Sequence, residues 1–402
     1  PNIPAYNEDG TFHLNPASGT LGSGKNKGTI PLYNPAALFA TSSYNSENSH
    51  LIANLSASIK PIRQVEFKTQ YAIDRINNEN IAFQSKELGS SAYSTGGSVV
   101  NIATLLQNES WSNTLIFSEI LGKHHRINAL VGSDLQRNYL SAWGVNATGS
   151  SDDFFKYYQG GWSTLVASGN NRGERIFLSL FSRINYDFKN KYYFTANFRR
   201  DGNSALAAGK KFGNFGGVSA GWLISEEDFF LNSSLAESFS NIKLTASHGR
   251  VGNGNLANDY SSFNLYSAGL YGSEGSWTIA QQGNPDLTWE TSDQTSIGFN
   301  FSTLKDRVNV ELAFFNNNVN GLILNVNQSP SKGIPGNVIL ANVGSMYNRG
   351  IELTTSVEVI NRKDWNWNVT LNYTNIRNKV TALANNNQDI IGATGSGNTN
   401  VT

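Results

Sequence analysis

Segments in which apolar and polar residues alternate recur along the chain, and they constrain its fold more than any other feature. Because successive side chains of a strand point to opposite faces, this period of two predicts β-strands with one apolar face. In one segment, Leu178, Leu180 and Ile184 share one face, whereas Arg183 and Asp187 share the other. Ten segments show the pattern clearly: 51–59, 65–74, 176–188, 192–199, 217–224, 242–247, 295–302, 308–315, 351–359 and 365–374.

The charged residues of these segments lie on the polar face and not on the apolar one. They include Glu66, Lys68, Arg183, Asp187, Arg199, Lys243, Glu311, Glu352 and Glu358. A charge that faces lipid at the middle of a bilayer costs about 2–4 kcal/mol, so a lipid-facing sheet would enforce this separation. A soluble β-sandwich would show it less strictly. The pattern therefore favours strands whose apolar face meets lipid.

The composition excludes several classes of protein. Lys and Arg together number 30, as do Asp and Glu, so no excess of positive charge attracts nucleic acid. Charged residues make up 15% of the chain, below the roughly 25% of a soluble domain, which suits a surface shared with lipid. The chain has no cysteine, which rules out disulfides and thiol catalysis, and no apolar run near the roughly 20 residues of a membrane helix.

Short and long connections alternate between the predicted strands. Tight turns are predicted at Lys60-Pro61, Lys123-His124, Lys189-Asn190, Lys305-Asp306 and Arg362-Lys363, with a longer link and one helical turn over 225–241. Long polar loops are predicted over 75–97, 134–174, 200–216, 249–293 and 317–347 and after Lys379. Membrane β-barrels have short periplasmic turns and long extracellular loops, so the alternation predicts an all-β, antiparallel transmembrane β-barrel.

Four stretches carry distinctive motifs. They are a tyrosine-rich hairpin with an RRDG turn and a WLISEEDF turn (Phe181–Phe230), SHGRVGNG within Leu244–Tyr260, NPDLTWE at the start of Asn284–Phe301, and NVGSMYNRGIE within Asn342–Thr354. Together they resemble motifs of the SusC/RagA-like TonB-dependent transporters of the outer membrane. Tyr33–Phe39 is a weaker match to the same family.

The resemblance implies that residues 1–402 are part of one TonB-dependent receptor β-barrel domain. About 12 strands are expected, with 98–121 counted as one long strand, and so few cannot close a barrel of the expected size of about 22 strands. Because open sheet edges are not tolerated in hydrocarbon, the whole protein must supply the others. The family's signal peptide, N-terminal extension, TonB box and plug are expected outside these residues.

The resemblance also implies import across the outer membrane of a Gram-negative bacterium, without catalysis and without a cofactor. The substrates would be oligosaccharides or peptides. The partners would be a SusD-like surface lipoprotein that closes over the barrel, and TonB, which acts through the plug. Two alternatives remain open: a passive porin or adhesin barrel, and a soluble carbohydrate-binding β-protein.

Aromatic side chains in the predicted long loops are the candidates for substrate contact, because flat rings suit the apolar faces of sugars. They are Trp143, Tyr157, Tyr158, Trp162, Tyr266, Tyr271 and Trp277. Alternatively, such rings belong to an aromatic girdle, pack their own loop or contact the lipoprotein. The polar residues predicted to face the plug or the lumen are Arg183, Asn185, Asp187, Arg199 and Glu311.

Other motifs do not support an enzyme or a metal protein. Gly19–Lys25 resembles a phosphate-binding loop but lacks the Ser or Thr that should follow the lysine. The five histidines show no spacing suited to chelation, and residues 200–204 lack the spaced carboxylates of a calcium loop. No nucleophile elbow marks a hydrolase. We therefore predict no catalytic residue and no metal site.

Overall fold

The predicted β-strands dominate the structure. A computed structural model describes residues 4–15, 33–86, 94–154, 156–157, 160–256 and 258–383. The candidate Tyr158 and the segment Gly19–Lys25 lie outside these residues. Within the described chain, none of the helices has the length and the apolar character to pass through a bilayer.

Sixteen strands account for most of the described chain. In chain order they are β1 (Ser43–Ile62), β2 (Val65–Gln84), β3 (Ser98–Leu121), β4 (His125–Ser150), β5 (Trp162–Phe188), β6 (Tyr192–Asn203), β7 (Phe212–Leu223), β8 (Phe239–Asn253), β9 (Leu265–Tyr271), β10 (Glu274–Gln281), β11 (Glu290–Thr303), β12 (Val308–Asn320), β13 (Ile323–Asn327), β14 (Val338–Asn342), β15 (Ser345–Arg362) and β16 (Trp365–Ala382). Twelve of them form one sheet in chain order, and β9–β10 and β13–β14 are separate two-stranded sheets. The pairs of the large sheet from β5 to β16 are antiparallel.

The helical segments with described bounds are short and lie in connections between strands. The helices are α1 (Pro35–Thr41) and α2 (Asp228–Leu231), with single 3-10 turns at Ile224–Glu226, Ser234–Glu237, Pro330–Lys332 and Pro335–Asn337. Asn34 caps the N-terminus of α1, because its side chain accepts a hydrogen bond from the Ala36 amide, and Pro35 occupies the first turn. Helix α2 confirms the helical turn predicted within residues 225–241.

The tight turns largely follow the prediction. Lys189 and Asn190 both adopt positive φ, at 56° and 55°, as a two-residue hairpin turn requires. The turn predicted at Lys60-Pro61 was wrong, because both residues continue β1, which ends at Ile62. Strand β1 is an edge of the described sheet, and an edge strand tolerates a proline because no neighbour on that side needs its N–H.

Several loops were predicted too long. Residues 75–84 continue β2, and most of 134–174 belongs to β4 and β5. Polar side chains occur on both faces there, which weakens the alternation, but the backbone groups still pair and the chain stays extended. The predicted loops at 249–293 and 317–347 contain the hairpins β9–β10 and β13–β14.

Strand pairing places apolar and polar side chains on opposite faces, as predicted. One row of directly paired residues is apolar: Leu244, Phe299, Leu312, Leu353 and Tyr373. The adjacent row is polar: Lys243, Asn300, Glu311, Thr354 and Asn372. We call these two sides of the sheet the apolar face and the polar face. Leu312 is 41% exposed, so no second layer covers the apolar face at this position, as the core of a β-sandwich would require.

Two compact units make up the chain, and each has its own small core. Unit 1 comprises residues 1–55, 71–110 and 137–174, and its buried cluster contains Phe83, Val99, Ala147 and Trp162. Unit 2 comprises residues 56–70, 111–136 and 175–402. Its buried cluster contains Ala205, Leu206, Ala207, Phe215, Leu256, Leu287 and Trp289.

The link between β7 and β8 is held by one carboxylate. Glu227 accepts hydrogen bonds from the Tyr192 hydroxyl and, at 2.9 Å, from Trp222 Nε1. Lys191 Nζ lies 3.5 Å from the other carboxylate oxygen. The hydrogen bond from Tyr192, followed by that from Trp222 and by the charge of Lys191, holds the pKa of Glu227 below its ordinary value of 4.5.

Replacing Glu227 with glutamine is expected to weaken the acid sensitivity of the protein. A lowered pKa means that the carboxylate contributes stability above the pKa of the unfolded chain and loses it as the pH falls through the folded value. The wild-type protein should therefore lose stability more steeply below about pH 4.5 than Glu227→Gln does. Urea unfolding across a pH series measures this, with the exposed neighbour Glu226→Gln as control. Identical pH profiles for wild type and Glu227→Gln would contradict the assignment.

Candidate functional site

The polar face brings together the residues that were predicted to face a lumen. Register places Arg183, Asn185, Asp187 and Arg199 on one side of the β5–β6 hairpin. The pairing from β6 through β12 puts Glu311 on the same side. All five predicted residues therefore lie on the polar face of unit 2.

Three of these residues are engaged by neighbouring side chains. Arg199 donates a hydrogen bond to Asp201 at 2.6 Å, and Arg126 Nη1 lies 3.4 Å from Asp187. Asn185 accepts a hydrogen bond from a threonine hydroxyl of β6 at 3.0 Å. Arg199 also donates to Ser179 of β5 at 2.8 Å, so each of the three side chains contacts an adjacent strand and has a structural role in addition to any contact with a ligand.

The other two residues remain available for contact. Arg183 and Glu311 are exposed, and neither has a hydrogen-bond or ion-pair partner in the part of the chain that the structure describes. A charge at a polar surface is hydrated and exchanges its water for a ligand group at low cost. These two side chains are therefore accessible charges of the polar face, and their predicted contact with a plug or a solute stays a prediction.

A row of amide side chains crosses the polar face, and it was not foreseen from the sequence. Five amides, one arginine and two glycines occupy directly paired positions from β5 to β16: Arg183, Asn197, Gly217, Gly249, Gln294, Asn317, Asn348 and Asn378. The Asn378 amide donates to Asn348 Oδ1 at 2.5 Å. We call this set the amide row. Because an amide side chain both donates and accepts hydrogen bonds, the row suits neutral polar ligands.

Two glycines form the middle of the amide row. Gly217 and Gly249 are directly paired, and a Cβ atom on Gly217 would lie 3.0 Å from the His248 carbonyl oxygen and 3.1 Å from Gly249 Cα. Larger residues at Gly217 would press on the neighbouring backbone. The polar face is therefore free of side chains at this point, between the amides of β6 and β11.

Three of the predicted substrate-contact aromatics lie on the β9–β10 hairpin. Tyr266, Tyr271 and Trp277 are 56%, 84% and 82% exposed. The rings of Tyr266 and Trp277 lie 6.4 Å apart on one side of the hairpin, which also carries Leu270 and Ile279. Tyr271 points to the opposite side, because its register position is one residue out of phase. The hairpin thus presents one continuous aromatic and aliphatic side.

Trp143 and Tyr157 are exposed residues of unit 1. Trp143 lies within β4 and not in a loop, and its side chain is 63% exposed. It lines an open pocket of about 410 Å³ together with Glu47, Glu79 and Ser141. Tyr157 is 44% exposed. Both rings are accessible to a ligand.

Trp162 does not fit its predicted role in substrate contact. It is only 9% exposed, its ring packs against Phe83 with centroids 6.3 Å apart, and its Nε1 donates to the Tyr157 carbonyl at 2.8 Å. Removal of two large rings from water explains why Trp162 folds back onto its own unit. It therefore packs its own loop, which was one of the alternatives for these aromatics.

Comparison with known families agrees with this geometry. Residues 2–400 match the family described as TonB dependent receptor-like, beta-barrel. The chain belongs to this family. Its curated relatives are receptors: TonB-dependent receptor P26 of Formosa agariphila is 28% identical over 398 residues, which is 95% of this chain and 38% of the relative. TonB-dependent receptor SusC of Bacteroides thetaiotaomicron is 27% identical over 213 residues, 51% of this chain and 21% of SusC.

The TonB-dependent receptor fold is also found among solved structures. The RagAB peptide transporter superimposes on 90% of this chain with a TM-score of 0.78 at 24% identity, and this covers 39% of that chain. At such identity the likeness establishes the fold. The family match and the relative SusC confirm the resemblance to SusC/RagA-like receptors. The chain spans less than two fifths of the length of the relatives named here.

The motifs that resemble this receptor family hold the long connections of unit 2 together. Asn203, which ends the RRDGN segment and strand β6, is buried and donates to the Gly254 carbonyl at 2.8 Å. Asn342 of the NVG motif donates to the Thr288 carbonyl at 2.8 Å, beside the buried Trp289 of NPDLTWE. All four motifs contribute to or border the same small core. Their local role is thus to anchor the connections that carry the exposed aromatics.

Proposed function

We propose that this chain forms part of the wall of an outer-membrane importer of a Gram-negative bacterium, driven by TonB, and that it is not an enzyme. The observation that carries the proposal is a sheet of the TonB-dependent receptor family with an uncovered apolar face and a polar face crossed by the amide row. In a barrel, lipid covers the first face, whereas a plug or a solute meets the second.

In this proposal the rest of the protein completes the barrel. Strands β1 and β16 are edges of the described sheet, and unpaired backbone groups are not tolerated in hydrocarbon. Further strands would therefore pair with both, to a total of about 22, a size that leaves a lumen occupied by a plug. A SusD-like lipoprotein would close the outer mouth, and TonB would act on the plug.

The substrate class that fits best is the oligosaccharides. Sugar hydroxyls donate and accept hydrogen bonds, as the side chains of the amide row do, and aromatic rings cover the apolar faces of sugars. In the proposed importer, Trp143, Tyr157, Tyr266, Tyr271 and Trp277 contact substrate at the mouth. Arg183, Asn185, Asp187, Arg199 and Glu311 then face the plug or the passage. Peptides are the second candidate, because RagAB, which shares the fold, is a peptide transporter.

Uptake by living cells tests the proposal. Cells that produce the full-length protein and its lipoprotein are given fluorescent neutral oligosaccharides or fluorescent peptides of similar size, with TonB present or deleted. We expect oligosaccharides to accumulate only when TonB is present. Accumulation without TonB would indicate a passive porin, and accumulation of peptides alone would overturn the substrate class. Recovery of the full-length protein in the soluble fraction without detergent would indicate a soluble binding protein instead.

Replacing Trp277 with alanine is expected to weaken uptake without loss of folded protein. The ring is 82% exposed on the aromatic side of the β9–β10 hairpin, so its removal leaves no cavity. Loss of one ring contact of about 1 kcal/mol should raise the half-saturating oligosaccharide concentration about fivefold. Concentration-dependent uptake measures this. Trp365→Ala, which removes a ring that is 76% exposed at the start of β16, is the matched control and should leave uptake unchanged.

A further inference from the structure

Two arginines face each other on the apolar face, towards the end of the sheet that leads to the long connections. Arg349 of β15 is directly paired with Arg377 of β16. Both belong to the apolar face, because Leu353 and Tyr373 lie four residues away on the same two strands in the same register. Both side chains are exposed. The charged residues of the alternating segments lie on the polar face, whereas Arg349 and Arg377 lie just outside segments 351–359 and 365–374, on the apolar face, so their placement requires a physical reason.

Nothing in the described chain neutralises this pair. Neither arginine has a hydrogen bond or an ion pair with a described residue. By contrast, Arg250 on the same face is paired with Asp293 at 2.6 Å. Lys379 lies two residues beyond Arg377 on the same face and adds another positive charge. Like charges directly opposite each other destabilise a sheet, so the arrangement favours an anion bound between them.

The position along the strand indicates the source of the anion. Trp367, which is 56% exposed, lies near the start of the apolar face of β16, and Arg377 follows ten residues later. A tilted strand crosses the hydrocarbon in about 9–11 residues. Tryptophan prefers the interface between the hydrocarbon and the headgroups, so we place Trp367 at one membrane surface. Arg377 then lies at the headgroups of the opposite membrane surface. The Arg349 guanidinium lies 4.7 Å from the centre of the Tyr347 ring, and tyrosine is also typical of this level.

The leaflet follows from the connections. In outer-membrane barrels the short turns face the periplasm and the long connections face the outside. Arg349 lies four residues after the start of β15, which follows the long connection from β12. The pair therefore lies at the outer leaflet, in which the anionic groups are lipid phosphates.

We propose that Arg349 and Arg377, with Lys379 beside them, form an outward-facing site for a phosphate group of lipid A, the phosphorylated glycolipid of the outer leaflet. Directly opposed residues have Cβ atoms about 4.5–5.5 Å apart, so two long side chains reach a common anion. A guanidinium donates two parallel hydrogen bonds to phosphate oxygens, and two guanidinia hold one phosphate from both sides. The inference rests on the proposed outer-membrane location, and it adds a lipid partner to it.

Lipid retention tests the site. The full-length protein is reconstituted in phosphatidylcholine vesicles that contain diphosphoryl lipid A, the same amount of dephosphorylated lipid A, or neither. Native mass spectrometry after detergent extraction counts the lipid A that stays bound. We expect Arg349→Gln/Arg377→Gln to retain about tenfold less diphosphoryl lipid A than the wild type, through loss of its charge-assisted hydrogen bonds. Arg183→Gln, which removes an exposed arginine from the polar face, is the matched control and should retain the wild-type amount.

Each other outcome overturns a defined statement. Equal retention by the double variant and the wild type, or equal retention of phosphorylated and dephosphorylated lipid A, would overturn the phosphate site. Diphosphoryl lipid A should raise the temperature at which the protein unfolds on a heat-modifiable gel, whereas inorganic phosphate added to phosphatidylcholine vesicles should not. An equal rise with inorganic phosphate would assign the site to free phosphate. Failure of the wild type to enter any vesicle would overturn the membrane location itself, whereas entry without a lipid A effect would overturn only this inference.

Discussion

Replacing Trp289 with alanine is expected to lower the free energy of unfolding by about 3–5 kcal/mol, the usual cost of removing a large buried ring. Trp289 is only 9% exposed, and its ring lies 5.3 Å from that of Phe215. Its Nε1 also donates to the Lys211 carbonyl at 3.0 Å, and the substitution leaves that carbonyl without its partner. The cavity would lie beside the fully buried Leu206 and Leu287, which belong to the same cluster.

Urea unfolding of the full-length protein in detergent measures this loss, and limited proteolysis locates it. Because the cluster anchors the long connections, protease sites within residues 254–289 should become accessible before those of the strands. Trp277→Ala removes the same kind of side chain from the same connection, but at 82% exposure. It should change the free energy of unfolding by less than about 0.5 kcal/mol. Equal losses for Trp289→Ala and Trp277→Ala would contradict the role assigned to the cluster.

Replacing Leu312 with arginine is expected to destabilise the protein in lipid by about 2–4 kcal/mol, the cost of a charge near the middle of a bilayer. Leu312 lies in the row of the apolar face that also contains Leu244, Phe299 and Leu353. Its side chain is 41% exposed because no protein layer covers it. In the proposed importer, hydrocarbon covers it instead.

The neighbouring residue supplies the control for this substitution. Glu311 lies on the polar face, exposed, so Glu311→Arg places the same guanidinium one residue away but towards water. We expect folding into phosphatidylcholine vesicles, followed by urea titration, to show a large loss for Leu312→Arg and less than about 0.5 kcal/mol for Glu311→Arg. If both variants lost stability equally, the apolar face would not be the lipid face.

The amino-acid sequence was sufficient to predict the class of fold and the two faces of the sheet. Alternation in segments such as 295–302 and 308–315 predicted strands that the structure contains, and Glu311 and Leu312 lie on opposite faces as expected. These features are local, because the environment of each face selects the residue type at every second position. The motifs around Asn203 and Trp289 likewise identified the family, since each is a continuous stretch of chain.

Only the tertiary structure decided how far the strands extend and which distant residues align. Residues 134–150 appear as a polar loop in the sequence but belong to β4, because pairing of backbone groups does not require apolar side chains. The amide row and the pairing of Arg349 with Arg377 depend on the register of neighbouring strands. The burial of Trp162 depends on contact with Phe83, which is distant in the sequence. Alternation reports the surroundings of one strand at a time, whereas register is set by hydrogen bonds between strands, and no single segment contains that information.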